Sequence, residues 1–313
     1  MLATISDRLK VFEFLGSQLN LVSQKDGFNG KLNTVSWNHT NQVVAVAGTA
    51  RVIHLVQASN GQFLSEVPFS SVQERAILHS DTHITDDITS ISFSNSSRYL
   101  ASSSGNSVHI WDLKRRNLRV HKKIGTGIIT SLLFLSDGTK VITGNQKGNL
   151  DIWDFEQSSD VTGLVTTEFT PRGITSMDII SGSQTKLGCG YDDGSISIWD
   201  LSTCLHLRHQ KVHSGSLTGL SFSPKNSRLL ATAGLDGRIN LVDTASKSIS
   251  DPSASVNVGE RLSTISFSCD AIHSAVGTEN GRVFIYDWRN LRSPVVVNDS
   301  HIPSPINSIR FQV

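Results

Sequence analysis

The sequence predicts an all-β chain folded as a seven-bladed β-propeller whose first and last strands close one shared blade. Three observations predict it. A short apolar anchor strand recurs about every 41 to 45 residues, each anchor is followed by further short strands between turn residues, and the anchor missing at the N-terminus reappears at the C-terminus. Fixed periods of this length mark propeller arrays, whose units share a core with their neighbours and so read as a single domain, here residues 1–313.

The anchors are Val35-Ser36-Trp37, Ile88 to Phe93, Ile129 to Phe134, Ile174 to Ile179, Leu217 to Phe222, Leu262 to Phe267 and Ile306 to Phe311. The unit that begins at Ile88 shows how a blade forms. Ile88 to Phe93 alternates apolar and small polar residues, Asn95-Ser96-Ser97 turns, and Tyr99 to Ser103 returns. Gly105-Asn106 turns again, Ser107 to Leu113 makes a third strand and Leu118 to Lys122 a fourth. Period-two alternation between turn signals is the pattern a sheet needs.

At the N-terminus, Leu2 to Ser6, Leu9 to Phe14 and Leu19 to Ser23 read as second, third and fourth strands without a first. Ile306 to Phe311 supplies it, so residues 1–24 and 306–313 close one blade and two open sheet edges disappear. The phase breaks once: Trp37 and Phe93 lie 56 residues apart, which places an insertion, Phe69 to Asp87, between the second and third blades.

A formal charge of +1 with 18% charged and 38% apolar residues is an ordinary soluble globular composition. Cys189, Cys204 and Cys269 are an odd count without paired spacing, which argues against a disulfide framework and for a reducing compartment, cytosol or nucleus. Met1 to Ile5 runs at once into Asp7-Arg8, leaving no room for a secretory apolar region. Apolar runs such as Ile128 to Leu135 fall far short of the roughly 20 residues that span a bilayer, so no membrane contact is expected.

No catalytic arrangement emerges, and the chain reads as a non-enzyme without a cofactor. Gly125-Thr126-Gly127 and Gly144 to Gly148 lie between strands, whereas phosphate loops open a helix. Cys204, His206, His209 and His213 are residue types that suit zinc. An extended strand puts Cys204 and His206 on one face and His209 on the other, so no metal centre is expected. Asp192-Asp193 and Asp236 precede glycine in tight turns, a backbone role.

The third strands end in an aromatic residue and an acid: Trp111-Asp112, Trp153-Asp154 and Trp199-Asp200, with Val242-Asp243 and Tyr286-Asp287 in the same phase. This recurrence resembles the Trp-Asp repeat, or WD40, family. Phe12-Glu13, Val56-Gln57, Val242-Asp243 and Tyr286-Asp287 all depart from Trp-Asp itself. The resemblance implies a hydrogen-bonded tetrad of His, Ser or Thr, Asp and Trp in each blade. His213, Thr232 and Asp236 supply three members beside Val242, His83, Ser102 and Trp111 lack the Asp, and His301 with Asp7 faces Phe12.

On a propeller, the turns between strands one and two and between three and four share a face. Here they carry Arg98, Lys114, Arg115, Arg116, Lys140, Lys186, Lys225, Arg228, Lys247, Arg289 and Arg292 against Glu13, Asp137, Glu156, Asp160 and Asp270. A positive face follows, a candidate surface for an acidic partner, although basic residues on exposed turns also serve solvation alone. Its densest stretch, Lys114 to Lys123, lacks interleaved aromatics, which disfavours nucleic acid.

Several stretches resemble one subfamily, the WD-repeat factors that attach the γ-tubulin ring complex to centrosomes and spindles (neural-precursor-expressed, developmentally down-regulated). They are Val35 to Thr40, Val108 to Leu113, Gly234 to Ile239 leading to Asp243, Tyr286 to Arg289, and Ser293 to Val295. The resemblance implies a cytoplasmic, cytoskeletal adaptor in microtubule nucleation during cell division, located at the microtubule-organising centre, centrosome or spindle. Augmin or centrosomal and spindle proteins are the implied propeller partners, and a C-terminal region binds the γ-tubulin complex. That region is expected to be absent from a chain ending at Val313, and it would emerge on the basic face. Other WD scaffolds, such as ubiquitin-ligase substrate receptors and chromatin readers, share the same repeat.

Overall fold

The computed structural model describes residues 1–67, 86–157, 161–165, 169–170, 172–180, 185–245 and 252–312. These form seven four-stranded antiparallel sheets, blades 1 to 7 in chain order, as the period predicts. Their inner strands touch in a closed ring: Ser308–Phe311 of blade 1, then Leu32–Trp37, Ile88–Phe93, Ile129–Phe134, Ile174–Ile180, Leu217–Phe222 and Leu262–Phe267. Of the insertion at 69–87, all but Asp86 and Asp87 lies outside the described residues.

Blade 1 joins the chain ends. Ser308–Phe311 pairs with Leu2–Ile5, Leu2 opposite Phe311 and Ile5 opposite Ser308, and Leu9–Phe14 and Leu19–Lys25 complete the sheet. The gap in this blade is the turn between strands one and two, so both termini reach that face.

Each blade buries both faces of its second strand. Tyr99–Ser104 and His273–Thr278 are buried at every residue, which is why, apart from His273 with its Asp270 partner, they read as small, apolar or hydroxyl-bearing. The layers between blades are apolar: Ala3, Ile5, Leu9 and Val11 of blade 1 pack on Leu32, Val35, Trp37 and Val44 of blade 2. Burying a side chain of this kind contributes about 1.5–3 kcal/mol, and every blade shares two such layers. Gly277 is required where blade 7 meets blade 1, since a Cβ there would stand 2.6 Å from Ile306 Cγ2.

A bulge at the start of the inner strand couples local geometry to ring closure. In blade 3 the register passes from Ile88 opposite Ser104 to Ser90 opposite Ser103, leaving Thr89 unpaired, and blades 2, 4, 5, 6 and 7 repeat the shift. Bulges re-aim a side chain. Here Asn33 Nδ2 donates to Ile88 O at 3.1 Å, Thr89 Oγ1 to Ile129 O at 2.6 Å and Thr130 Oγ1 to Ile174 O at 2.6 Å, each on the next blade. Asn307 Nδ2 closes the ring on Leu32 O at 2.7 Å.

Candidate interaction face and central channel

The third strand of a blade ends on the face that holds both termini, because Asp112 pairs with Tyr99 at the start of the second strand and with Asn117 at the start of the fourth. Counting turn residues alone therefore overstates the positive charge of this face. Asp112, Asp154, Asp200, Asp243 and Asp287 lie at strand ends there as well.

Several of the predicted basic residues meet those aspartates. Arg98 Nη2 lies 3.3 Å and Arg115 Nε 4.0 Å from Asp112 Oδ2, Arg228 Nη2 2.8 Å from Asp243 Oδ2, and Arg289 Nη2 2.6 Å from Asp287 Oδ2. Lys140 Nζ reaches Asp137 at 3.3 Å. The hydrogen bonds from Arg289 hold the Asp287 carboxyl down at about 2. Burial raises the Asp112 pKa, and the Arg115 N–H and Arg98 guanidinium outweigh it, for a net lowering. Lys114, Arg116, Lys225 and Arg292 stand exposed on the same turns. An exposed pair such as Lys140 with Asp137 stabilises by about 0–1 kcal/mol, whereas the Asp112 carboxylate is buried and keeps Arg98 as a partner when the turn after it is recharged.

The tetrads differ from blade to blade. In blade 6, His213 Nδ1 lies 2.9 Å from Asp236 Oδ1 and Nε2 2.9 Å from Thr232 Oγ1. With Val242 in place of tryptophan, Asn240 Nδ2 bonds Val212 O at 2.6 Å. In blade 3, Trp111 Nε1 donates to Ser102 Oγ at 3.2 Å, while His83 lies outside the described residues. In blade 5, Cys189 stands where Ser102 and Thr232 stand in their blades, and Ser197 on the facing strand accepts from Trp199 Nε1 at 2.9 Å instead. Among the described residues Trp153 Nε1 is buried without a hydrogen-bond partner, and Lys122 Nζ sits 4.8 Å from the ring centroid. His301 meets Thr4 and Ser6, and Asp7 joins through Ser6.

The histidines of blade 5 depart from the alternation read in the sequence. A bulge at Leu207, where Ile198 faces Arg208 and Trp199 faces His206, brings His206 and His209 to the same face of the outer strand. Both contact Phe169, His206 at 5.1 Å and His209 stacked at 3.9 Å. Cys204 lies apart on an exposed turn and His213 spends both ring nitrogens in its tetrad. Among the described residues no group of three or more His, Cys, Asp or Glu is placed to hold a metal.

The inner strands enclose a channel of about 490 Å³ that opens between Asn95, Ser136, Pro224, Cys269 and Gln312, on the face of the termini. Superposing the repeats shows what the linear sequence hides. The fifth inner-strand position is Ser36, Ser92, Leu133, Asp178, Ser221, Ser266 and Arg310 in blades 2 to 7 and then 1. Its oxygen accepts the N–H of the following blade: Ser92 Oγ from Phe134 at 3.3 Å, Asp178 Oδ2 from Phe222 at 2.8 Å, Ser221 Oγ from Phe267 at 3.1 Å and Ser266 Oγ from Phe311 at 3.0 Å. Asp178 and Arg310 are the charged residues of the lining. Burial pushes the Asp178 carboxyl up while Arg310 pulls it down.

Residues 166–313 match the family of nucleolar protein 10-like N-terminal domains, and residues 75–112 match the WD domain, G-beta repeat. The chain is 30% identical over 229 residues to Protein NEDD1 of Homo sapiens and 29% identical over 229 residues to Protein NEDD1 of Mus musculus. Each alignment covers 72% of this chain and 33% of the relative. With Protein tipD of Dictyostelium discoideum the identity is 24% over 283 residues, 88% of this chain and 42% of that protein. The chain thus spans about a third of the length of the NEDD1 proteins it matches.

Proposed function

The chain belongs to the WD40-repeat propellers and matches the N-terminal propeller of the NEDD1 proteins, and from that premise we propose that it is a non-enzymatic adaptor. In this reading it targets the γ-tubulin ring complex to the centrosome and spindle for microtubule nucleation. The observation that carries the reading is the 30% identity over 229 residues, which runs through 72% of the chain rather than through one repeat.

Within that role the propeller does the targeting. Its face around Lys114, Arg115 and Arg116, with Arg98, Lys140, Lys225, Arg228, Arg289 and Arg292 on neighbouring turns, meets augmin or a centrosomal or spindle protein. Charge on exposed turns steers association without carrying the fold. In the family that the chain resembles, the γ-tubulin complex is held by a region that follows the propeller.

The test is localisation of the tagged 313-residue chain in dividing cells together with affinity purification from mitotic extract. Enrichment at poles or spindle microtubules and recovery of augmin or centrosomal proteins is the expected result. A diffuse pattern in mitosis, or recovery of cullin or histone partners instead, overturns the reading.

A further inference from the structure

We propose that the channel mouth on the face of the termini binds a segment of a partner protein that presents one basic and one acidic side chain close together, the basic group to Asp178 and the acidic group to Arg310. This goes beyond the adaptor reading and holds wherever the propeller is targeted.

The ring of fifth-position residues supplies the argument. Serine is enough to bond the next blade, as Ser92, Ser221 and Ser266 demonstrate, so a full charge on Asp178 is more than the bond to Phe222 N requires, although its carboxylate also accepts from Ile179 N and the Ser221 hydroxyl. Arg310 serves the ring through its main chain, whose carbonyl oxygen accepts from Trp37 Nε1 at 2.9 Å. Its guanidinium is therefore surplus too. Among the described residues Arg310 is the charged group that acts on Asp178, across the channel and without an ion pair between them, and charges held out of bulk water favour a partner of opposite sign at contact distance.

Placement selects the ligand. Asp178 in blade 5 and Arg310 in blade 1 lie three blades apart on a ring of seven, hence on opposite walls, with Ser221 and Ser266 on the arc between them. A purely cationic ligand drawn to Asp178 is repelled by Arg310, and a purely anionic one the reverse. A ligand carrying both signs satisfies both walls and brings no net charge into the channel. The volume, about 490 Å³, suits a few side chains from one loop.

The experiment titrates the chain by calorimetry with blocked hexapeptides that carry Lys and Glu one to four residues apart in both orders. At least one spacing is expected to bind saturably, and changing its Lys or its Glu to Gln is expected to weaken binding about tenfold or more. Two variants assign the contacts. In Asp178→Ser, which restores the ring's usual residue, losing the peptide Lys should cost nothing further. In Arg310→Ser, losing the peptide Glu should cost nothing further. Absence of binding at every spacing, equal binding by a peptide of one sign, or binding indifferent to both variants overturns the proposal.

Discussion

Thr4 Oγ1 and His301 Nε2 lie 2.7 Å apart although 297 residues separate them, and Ser6 Oγ holds the other ring nitrogen at 2.6 Å. Hydroxyls at the start of the chain thus fasten an imidazole near its end, next to the strand pairing that closes blade 1. Removing the ring leaves Thr4 and Ser6 buried without it. His301→Ala is expected to cost about 2–4 kcal/mol in urea unfolding, with Thr4→Val/His301→Leu less destabilised because both polar partners go together. A cost below about 0.5 kcal/mol would show that strand pairing alone closes the ring.

Acid should act through the same imidazole. Burial, helped by Lys10, lowers His301 to about 4, and burial beside the stacked His121 ring, 4.7 Å away, lowers His109 to about 4. Both values lie below the unfolded histidine value near 6.5. The unfolded chain therefore binds these protons first, and the stability contributed by each neutral ring is present above about pH 6.5 and lost as pH falls through about 4. The full loss is on the order of 3 kcal/mol per ring. Guanidinium midpoints measured from pH 7.5 to 4 should fall, and the fall should be shallower in His109→Phe. A flat profile would contradict both shifts.

Cys204 occupies a left-handed backbone conformation, φ 56°, on the turn after Asp200, as Arg116 does with φ 56° after Asp112. A non-glycine residue is strained there. Cys204→Gly is expected to raise stability by up to about 1 kcal/mol, while Cys204→Ala gives no gain. Equal behaviour of the two variants would put the effect in the thiol rather than the backbone.

Reversing Lys114, Arg115 and Arg116 to Glu should weaken binding to the propeller's mitotic partner about tenfold or more, most at low salt, and leave Tm within a few degrees. The fold tolerates it because Arg98 still pairs with the buried Asp112. Pull-down and thermal melting read the two effects separately. Unchanged partner binding would leave these side chains to solvation.

Blade number, strand order and the shared blade are legible in the sequence because each depends on local alternation and on a period that repeats. The metal-like quartet was misjudged at His209 for the opposite reason: the bulge at Leu207 is set by pairing with the third strand, and strict alternation does not contain it. The charge of the termini-bearing face was overestimated because Asp112, Asp243 and Asp287 belong to strands, yet end beside the arginines of the turns.

By itself, the sequence determined the repeat, the seven blades and the apolar anchors, since hydrophobic spacing acts within one unit. Only the tertiary structure decided which residues face one another across the ring. Asp178 opposite Arg310 and Thr4 against His301 exist because seven units close into a circle, and closure brings together residues that no local pattern relates.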